Sequence, residues 1–545
     1  MTLRAFTEIA SADEKPQNMC GWMFELLRSD PIALGADFRV LFRRFGEAFG
    51  STGARCARSG SDACDGRDWH DCLRFDRVEG VDQTMHDFHS PHDPTIEAKV
   101  KWDEESYLKV SGARAVSVSE SQGDILRYCV ASNKTIAFSH VWSHGQGSRP
   151  HLGINRCLHD RYIGLACKLG CDSYWIDAAC IPEDDTLRSE AILHINDVFY
   201  RSQQVIVCDR DLMTLDACPL TVRRAEVLLA GVILSDWNLR AWTMLEALKG
   251  RNHVSILCRD DQVVMFQDVL ERVCRDGRID LAAFSLFLPH MVRNYDFDDE
   301  RSRRIRDYGF NVDLEQIGSW LSHRPASRER DYATIWNLCL AQQKEGVKTI
   351  EDFWKQERGI NILTGFLLSP APRLSAPGLS WAPKTPFALP DRATSPGEFH
   401  MPITGEATQL ASVCINGLWG PWWIHVMDLD FLSTTKGRMS KTGRELRRVR
   451  KTFKSLRKHV ALLRPVLNQV YNSWDPEEIP SSAKSGVLLA VCDSDKTEKG
   501  RQPGADPVVY MHDVESYKWI WRGVYQWPAG VELPKFVQFH SLWLG

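Results

Sequence analysis

The sequence predicts an α/β fold in which parallel strands form a central sheet with helices on both faces. Short apolar segments recur through residues 126–262, and amphipathic segments separate them, an alternation typical of a parallel sheet. The apolar segments lack the polar alternation of a half-exposed strand, which indicates burial on both faces. The predicted strands are 135–139, 174–177, 204–208 and 253–257. Ligands of such sheets bind at the carboxyl ends of the strands.

The segments between these strands show the 3.6-residue period of helices. Asp184 and Asp185 follow the second strand, and a carboxylate there can accept hydrogen bonds from the free N–H groups of a first helical turn. Apolar residues from Leu187 to Phe199 then recur at helical spacing. The predicted helices of this region are 152–170, 187–199, 220–234 and 238–249.

The rest of the chain divides into regions of different character. A chain of 545 residues is long enough for about two to four domains. Residues 1–125 are predicted to be helical or irregular, 126–262 to form the α/β domain, and 263–370 to be mainly helical. Residues 371–545 are predicted to form a mixed α+β region, with short strands after about residue 485.

Charge and cysteine usage exclude several protein classes. Lys and Arg number 67 against 71 for Asp and Glu, so no overall attraction to nucleic acid or anionic membrane is expected. No apolar run reaches the roughly 18 residues of a transmembrane helix, and the N-terminus lacks the apolar stretch of a secretory signal. The 16 cysteines are scattered, which favours free thiols in a reducing compartment and a cytoplasmic location.

Three motifs occur in order within residues 134–250. They are IAFSHVW at Ile136–Trp142, YWIDAACIP at Tyr174–Pro182 and RAWTMLE at Arg240–Glu246. In this order they resemble the fungal heterokaryon-incompatibility (HET) domain, whose pattern runs approximately LSYVWG, WIDxxCIxQ and RaWtxQE. The resemblance covers about a quarter of the chain, and three ordered motifs are far more specific than any one of them.

Two later segments also resemble chains that carry this domain. They are SRERD followed by IWNL within 327–338, and LSWAP at Leu379–Pro383. The sequence departs from the HET pattern at four positions. The departing residues are His140 in place of Tyr, Ser143 in place of Gly, Glu183 in place of Gln and Leu245 in place of Gln.

The resemblance implies a fungal protein of allorecognition, heterokaryon incompatibility and programmed cell death, a form of innate-immunity-like signalling. The HET domain is remotely similar to the Toll/interleukin-receptor (TIR) domain, which implies a TIR-like, flavodoxin-like sheet. In NAD-cleaving TIR domains a Trp-x-x-x-Glu helix carries the glutamate, and Trp242 and Glu246 have this spacing. NAD or a related nucleotide is therefore the implied substrate, with no bound cofactor. The implied partner is a second copy of the chain or another incompatibility protein.

The spacing of Trp242 and Glu246 also has a physical meaning of its own. Residues four apart share one face of a helix, so Trp242 would shield Glu246 from water and raise the pKa of its carboxyl group. A carboxylate beside a ribose can stabilise the oxocarbenium-like state in which the nicotinamide bond breaks. The predicted site has Glu246 as catalytic residue and, at the same edge of the sheet, the ligand-binding residues Ser139, His140, Trp142, Asp177, Arg240 and Trp242. In this site Trp142 would stack on a base and Arg240 would hold a phosphate.

Structural explanations exist for the same residues. In the structural interpretation, Trp242 packs in the core of the domain. Glu246 then forms an ion pair with Arg240 or Lys249 at the helix surface. Asp177 could simply cap a turn. For the whole protein, the alternative to an NAD-cleaving enzyme is a non-catalytic signalling module that acts by self-association or partner binding.

A cluster near the N-terminus is a weak candidate for a metal site. Its residues are Cys56, Cys64, His70 and Cys72. The first two cysteines have seven residues between them, whereas structural zinc sites typically have about two to four. A loop with incidental thiols is therefore the favoured interpretation.

A strongly basic stretch lies at 436–464. It holds twelve Lys or Arg and one acidic residue, Glu445, and its apolar residues alternate at spacings of three and four. This pattern predicts an amphipathic helix over about 440–464. An anionic membrane surface, nucleic acid or a partner helix could contact its basic face. The favoured interpretation is a helix docked on its own domain, because Lys and Arg stems cover apolar surface readily.

Overall fold

The architecture is that of a computed structural model of the chain. It describes residues 20–21, 23–24, 99–121, 123–145, 153–278, 281–282, 288, 290–291, 314–321, 324, 326, 328–340, 344–357, 359–368, 372–384, 409–428, 440–453, 456, 459–466, 487–494, 518–528 and 530–545. Of the region over 1–125 that was predicted to be helical or irregular, residues 1–98 lie outside the described residues except for 20–21 and 23–24.

The chain forms two compact units. The first unit comprises Met1–Asn311, His323–Asp331 and Ala341–Glu345, and the second comprises Val312–Ser322, Tyr332–Leu340 and Gly346–Gly545. The chain therefore passes from one unit to the other more than once between residues 311 and 346.

A seven-stranded mixed sheet forms the core of the first unit. The strands of this unit are β1 (Lys99–Trp102), β2 (Arg114–Ser117), β3 (Ile125–Leu126), β4 (Tyr128–Val130), β5 (Thr135–His140), β6 (Ile154–Asn155), β7 (Ser173–Trp175), β8 (Gln204–Cys208), β9 (Val254–Leu257) and β10 (Val263–Met265). The order in the large sheet is β10-β9-β8-β5-β7-β2-β4, and β1, β3 and β6 form a small separate sheet. The neighbours β9, β8, β5 and β7 are parallel, which confirms the predicted parallel core.

The flanking strands were not predicted. Strand β10 pairs antiparallel with β9, and β2 pairs antiparallel with both β7 and β4. Strand β2 lies in the region before residue 126 that was expected to be helical or irregular, so the sheet extends beyond the predicted α/β segment. Its four residues are all buried, which explains why they join the sheet.

Most helices of the first unit connect the parallel strands. They are α1 (Glu104–Lys109), α2 (Arg156–Lys168), α3 (Asp177–Cys180), α4 (Asp185–Leu193), α5 (Ile195–Arg201), α6 (Val222–Leu234), α7 (Ala241–Gly250) and α8 (Phe266–Asp276). The Asp184 side chain accepts hydrogen bonds from the N–H groups of Thr186 and Leu187, which confirms the predicted cap. The single helix expected over 187–199 is instead two helices that meet at His194.

The strand order creates a place where ligands can bind. Strand β5 lies between β7 and β8, so the chain leaves β5 towards one side of the sheet and later returns to its other side. At such a reversal the connections diverge and leave a crevice beyond the carboxyl ends of the strands. Ser139 and His140 are the last two residues of β5 and therefore lie at this edge.

The second unit contains a seven-stranded sheet, part of which closes into a barrel. The strands of this sheet are β11 (Asn361–Leu363), β12 (Leu410–Cys414), β13 (Gly417–Asp428), β14 (His459–Pro465), β15 (Val487–Ser494), β16 (Lys518–Trp527) and β17 (Val537–Leu544). The order is β11-β12-β13-β14-β15-β16-β17, and pairing of β13 with β17 closes the last five strands. Five strands cannot alternate in direction all the way round a barrel, and the pair β16–β17 is the parallel one. The strands expected after residue 485 are confirmed, but the closure was not predicted.

Four further helices lie in the described residues of the later part of the chain. They are α9 (Leu314–Leu321), α10 (Glu329–Cys339), α11 (Ile350–Gln356) and α12 (Lys441–Thr452). None of the helices in the described ranges is long and apolar enough to span a membrane.

The prediction of one helix over 440–464 is wrong. Helix α12 ends at Thr452, and His459–Pro465 is strand β14. The apolar residues Val460 and Leu462 pack in the same cluster as Val449 of the helix, but from a strand that pairs with β13 and β15. Pairing with two neighbouring strands outweighs the local helical pattern. The prediction that the helix docks on its own domain is confirmed, since Val449 is buried in that cluster.

Candidate active site

The last two residues of β5 direct their side chains to opposite faces of the sheet. Successive residues of a strand alternate in this way. Ser139 meets Glu246 of α7 on one face, and His140 meets Asp177 of α3 on the other. Both pairs lie at the carboxyl edge, where strand β5 ends. The three sequence motifs therefore contribute residues to one region of the molecule.

Ser139, Trp237 and Glu246 form a buried chain of hydrogen bonds, which we name the Glu246 cluster. The Ser139 hydroxyl donates to Glu246 Oε2 and accepts a hydrogen bond of 2.7 Å from Trp237 Nε1. Ser139 and Trp237 are completely buried, and Glu246 is 7% exposed. The hydrogen bond from Ser139 thus holds Oε2 in place and fixes the orientation of the carboxylate.

Burial changes the acidity of Glu246. Desolvation raises the pKa of this carboxyl group from 4.5 to about 8, the charge of Asp177 also raises it, and the hydrogen bond from Ser139 acts in the opposite direction. Within the part of the chain that the structure describes, Glu246 forms no ion pair. The alternative of a surface pair with Arg240 or Lys249 is therefore wrong.

Helix α7 can approach the sheet closely because its last residue is a glycine. The helix packs against β5 and β8. A side chain at Gly250 would collide with one methyl group of Val205 in β8, Cγ2, and its Cβ would lie 3.0 Å from Val205 Cβ. Gly250 lies one helical turn after Glu246, so this close contact sets the position of the carboxylate.

Asp177 binds two side chains of the first motif, and we name these three residues the Asp177 cluster. His140 Nε2 donates to Asp177 Oδ1 over 2.6 Å, and Trp142 Nε1 donates to Oδ2. Burial alone would raise the pKa of Asp177, but His140, Trp142 and the N–H of Ala178 outweigh it and lower the pKa below its usual value. Asp177 is the first residue of α3 and accepts a hydrogen bond from the N–H of the next residue, Ala178, and it also binds the first motif through His140 and Trp142.

Trp142 and His140 form a stack at the edge of the sheet. Their ring planes differ by 11° and their centroids are 6.5 Å apart. The indole N–H of Trp142 is committed to Asp177, and Trp142 is only half-buried. Only the ring face of Trp142 therefore remains for stacking with a ligand.

Trp242 and Arg240 lie at the start of α7. Trp242 is half-buried and donates from Nε1 to Asp331 Oδ2 over 3.0 Å, so its polar atom is not directed at Glu246. Arg240 is half-buried at the N-cap of α7, where its carbonyl accepts a hydrogen bond from Thr243. Trp237, rather than Trp242, is the tryptophan linked to the catalytic candidate.

A second buried network supports Trp237 and was missed by the sequence analysis. Asp209, the residue after β8, accepts a hydrogen bond from the Trp237 backbone N–H over 3.1 Å. The Arg210 N–H donates to His144 Nδ1, so His144 Nε2 carries the proton that is donated to Asp236 over 3.1 Å. An acid at the carboxyl end of a predicted strand is a signal that points to Asp177, and Asp209, directly after the predicted strand 204–208, shows a similar signal.

The candidate metal ligands near the N-terminus cannot be placed. Cys56, Cys64, His70 and Cys72 lie outside the described residues. Among the residues that the structure does describe, no group of three or more His, Cys, Asp or Glu is arranged to hold a metal ion.

Comparison with known proteins adds no assignment. No protein-family model matches the chain, and no curated protein or solved structure matches it either. The residues of the Glu246 and Asp177 clusters are therefore what bears on function.

Proposed function

We propose that this chain is a cytoplasmic fungal protein of heterokaryon incompatibility and programmed cell death, and that residues 126–262 of its first unit form a HET domain that cleaves NAD or a related nucleotide. The observation that carries the proposal is the buried carboxyl group of Glu246, held by Ser139 at the carboxyl edge of a parallel sheet. Glu246 is the proposed catalytic residue.

Two features support the HET and TIR-like assignment. The parallel strands run β7-β5-β8-β9, and numbering them by chain order gives 2-1-3-4, the start of the flavodoxin-like order. In addition, the three motifs that resemble the HET pattern meet at one edge of the sheet. Their contacts are Ser139 with Glu246 and His140 with Asp177.

The chemistry follows from the position of the carboxylate. The bond between the ribose C1′ and the nicotinamide nitrogen breaks, its electron pair leaves with nicotinamide, and C1′ becomes cationic. Ionised Glu246 stabilises this cation, and water then adds to C1′ and loses a proton to the solvent. The positively charged nicotinamide ring favours the ionised carboxylate when the substrate binds, because an opposite charge lowers the pKa of a carboxyl group.

The proposal is tested by incubating the purified full chain with NAD and measuring nicotinamide by chromatography. We expect release from the wild type and a loss of about a hundredfold or more in Glu246→Gln, since electrostatic groups of this kind contribute factors of that size. Glu226→Gln is the matched control, because Glu226 is 6% exposed on α6 and its carboxylate accepts from the Arg278 N–H. Absence of release, or equal rates in wild type and Glu246→Gln, would contradict the proposal.

A second candidate is a non-catalytic signalling module that acts by self-association or by binding another incompatibility protein. It is favoured by the hydrogen bonds of Asp177, because both of its carboxylate oxygens already accept from neighbours within the protein. In this case Glu246→Gln would keep its cell-killing activity when expressed in a fungal host, with no NAD consumption in either protein. The first candidate expects killing and NAD loss to disappear together.

A further inference from the structure

Two aromatic rings contact one arginine in the barrel of the second unit. Arg464 of β14 lies opposite Trp423 of β13 in the sheet, and its guanidinium carbon is 5.7 Å from the centre of the Trp423 ring. The same carbon is 5.6 Å from the centre of the Phe536 ring, just before β17. A guanidinium group is attracted to the faces of such rings. We name Arg464, Trp423 and Phe536 the Arg464 site.

No acidic side chain balances the charge of Arg464. Within the described residues, its guanidinium group forms no hydrogen bond and no ion pair. Glu532, the acidic residue among 530–536, is exposed and is not paired with it. Burial lowers the pKa of Arg464, which shows that the charge is partly withdrawn from water. A charge in such a position usually has a partner, so an anion from outside the protein can supply one.

The hydrogen-bond donors of the site are open to a ligand. Arg464 and Trp423 are half-buried, and none of their side-chain nitrogens is fully enclosed by protein. The indole N–H of Trp423 also forms no hydrogen bond within the described part of the chain. A guanidinium group has five N–H donors, an indole has one, and neither group accepts. The site therefore suits an anion that carries a flat ring.

Basic side chains continue beyond the site. Lys535, next to Phe536 in the chain, is exposed. Helix α12 flanks the same segment, because the Thr442 hydroxyl donates to the Glu532 carbonyl over 2.9 Å. In its first turn this helix exposes Lys441 and Arg444. A ligand with repeated negative charges can approach these side chains, whereas a single acidic group can satisfy Arg464 alone.

We propose that the Arg464 site binds single-stranded nucleic acid, with a base stacked on the aromatic rings and a phosphate held by Arg464. Guanidinium groups match phosphate oxygens in pairs. Bases stack on aromatic side chains whatever the sequence, and a basic surface follows the strand's backbone. An acidic peptide offers repeated charge but no ring beside each charge. The site lies in the second unit, so the inference does not depend on Glu246.

The test is fluorescence anisotropy of a labelled oligouridylate of about twelve nucleotides, titrated with the full chain. Arg464→Met keeps an apolar stem between the rings and should bind roughly tenfold or more weakly, because charge-assisted hydrogen bonds are lost. The slope of log affinity against log salt should become shallower by about 0.7, the contribution of one phosphate contact. Trp423→Ala should weaken binding about fivefold to a hundredfold through lost stacking. Arg464→Lys, which keeps only the charge, should have intermediate affinity.

An abasic strand of the same length separates stacking from charge. It should bind the wild type more weakly than oligouridylate does, and Trp423→Ala should not weaken it further. Arg272→Ala/Arg275→Ala is the control, since it removes exposed positive charge from α8 in the first unit and should bind oligouridylate as the wild type does.

Three results would overturn the inference. They are no binding by the wild type, equal affinity of the wild type and either Arg464 variant, and equal affinity for the abasic strand and oligouridylate. Polyglutamate at the same charge concentration should displace the oligouridylate poorly. Equal displacement would instead indicate a site for an acidic protein. Calorimetry of each variant checks its folding, and if Arg464→Met does not fold, Arg464→Lys decides the outcome.

Discussion

The hydroxyl of Ser139 donates a hydrogen bond to the carboxylate of Glu246, although 107 positions separate the two residues in the chain. The same hydroxyl accepts from the indole N–H of Trp237. One small side chain thus joins the end of strand β5, the segment before α7 and the helix itself. Its removal affects both the acidity of the carboxyl group and the packing around it.

Replacing Ser139 by Ala should raise the pKa of Glu246 above its value of about 8, because the hydrogen bond that favours the ionised form is lost. The pH at which nicotinamide release reaches half its maximum should therefore move upwards. The buried N–H of Trp237 also loses its acceptor, which should lower the unfolding free energy by about 1–3 kcal/mol. The measurements are a pH–rate profile and denaturant unfolding.

Ser255→Ala is the matched control for this substitution. Ser255 is also completely buried in the same sheet, but its hydroxyl donates to Met265. Its pH–rate profile should coincide with that of the wild type. An unshifted profile in Ser139→Ala would show that the hydrogen bond does not govern the acidity of Glu246.

The stability of the first unit should decrease as pH rises, because the pKa of Glu246 is raised from 4.5 to about 8 by burial. A carboxyl group of this kind is protonated in the folded state and ionised in the unfolded state between these two values. Its stabilising effect is therefore full below about pH 4.5 and is lost as pH rises through about 8, a difference of up to about 5 kcal/mol.

Glu246→Gln removes the titrating group and keeps the shape, so it should remove this pH dependence. We expect the thermal midpoint of the variant to be close to that of the wild type at pH 5 and above it at pH 9. Differential scanning calorimetry at both pH values measures the two differences. If they are the same, Glu246 does not carry a buried charge at high pH.

The sequence was sufficient to predict the parallel core and to bring Ser139, Asp177 and Glu246 to one edge. Buried parallel strands have a continuous apolar pattern, and polar residues at their ends are visible without a structure. The role of Trp237 could not be predicted from the sequence. Trp242, four residues before Glu246, was the tryptophan that the helical spacing suggested. The link of Trp237 to Glu246 runs through Ser139 and depends on tertiary packing.

The second unit shows where local pattern fails. Residues up to Phe453 and beyond show the spacing of a helix, yet Val460 and Leu462 lie on a strand. An apolar residue of this segment can face the core from a helix or from a strand. Here the segment forms a strand because β13 and β15 lie on either side and pair with it. Closure of the barrel by β13 and β17 joins segments more than 100 residues apart, which no local period encodes.

Asp177→Asn should destabilise the protein at neutral pH by about 2 kcal/mol. The carboxylate accepts from His140, Trp142 and a backbone N–H, whereas an amide has one acceptor oxygen and turns its NH₂ group towards another donor. The pKa of Asp177 is lowered from 3.8, so its stabilising effect is present above that pH and is lost as pH falls further.

Unfolding of Asp177→Asn and of Asp197→Asn by denaturant at pH 7 measures the effect. Asp197 is 45% exposed and forms surface ion pairs with His194 and Arg201, which should contribute less than about 0.5 kcal/mol. Equal stability losses in the two variants would contradict a special role for the Asp177 cluster.

Helix α12 should respond to changes on its apolar face and not to changes on its basic face. Val449 is completely buried, so Val449→Ala should lower the unfolding free energy by about 2 kcal/mol. Arg450 and Lys451 are exposed, so the double reversal Arg450→Glu/Lys451→Glu should change it by less than about 0.5 kcal/mol. Denaturant unfolding measures both. Sedimentation with phosphatidylserine vesicles should leave both the wild type and Arg450→Glu/Lys451→Glu in the supernatant. Salt-dependent pelleting of the wild type alone would instead favour a membrane-binding face.

Gly250→Ala should destabilise the first unit, although alanine is the better helix former. Helix propensity favours the change by up to about 1 kcal/mol, but the new methyl group would collide with the Val205 side chain, and overpacking of this kind costs about 1–3 kcal/mol. The helix must shift to relieve the collision, and Glu246, one turn away, shifts with it. Nicotinamide release should therefore fall together with the thermal midpoint.

The chain provides both a rescue and a control for this substitution. Val205→Ala removes the methyl group that collides, so the double variant Gly250→Ala/Val205→Ala should regain much of the activity that Gly250→Ala loses. Gly164 lies in helix α2 with nothing within 4 Å of an added Cβ, so Gly164→Ala should stabilise the protein by about 0.5–1 kcal/mol. Calorimetry and nicotinamide release on the wild type and these three variants separate the two effects. The contrary result is that Gly250→Ala is stabilised to the same extent as Gly164→Ala and keeps its activity. That result would mean that α7 does not need its close contact with β8 to position Glu246.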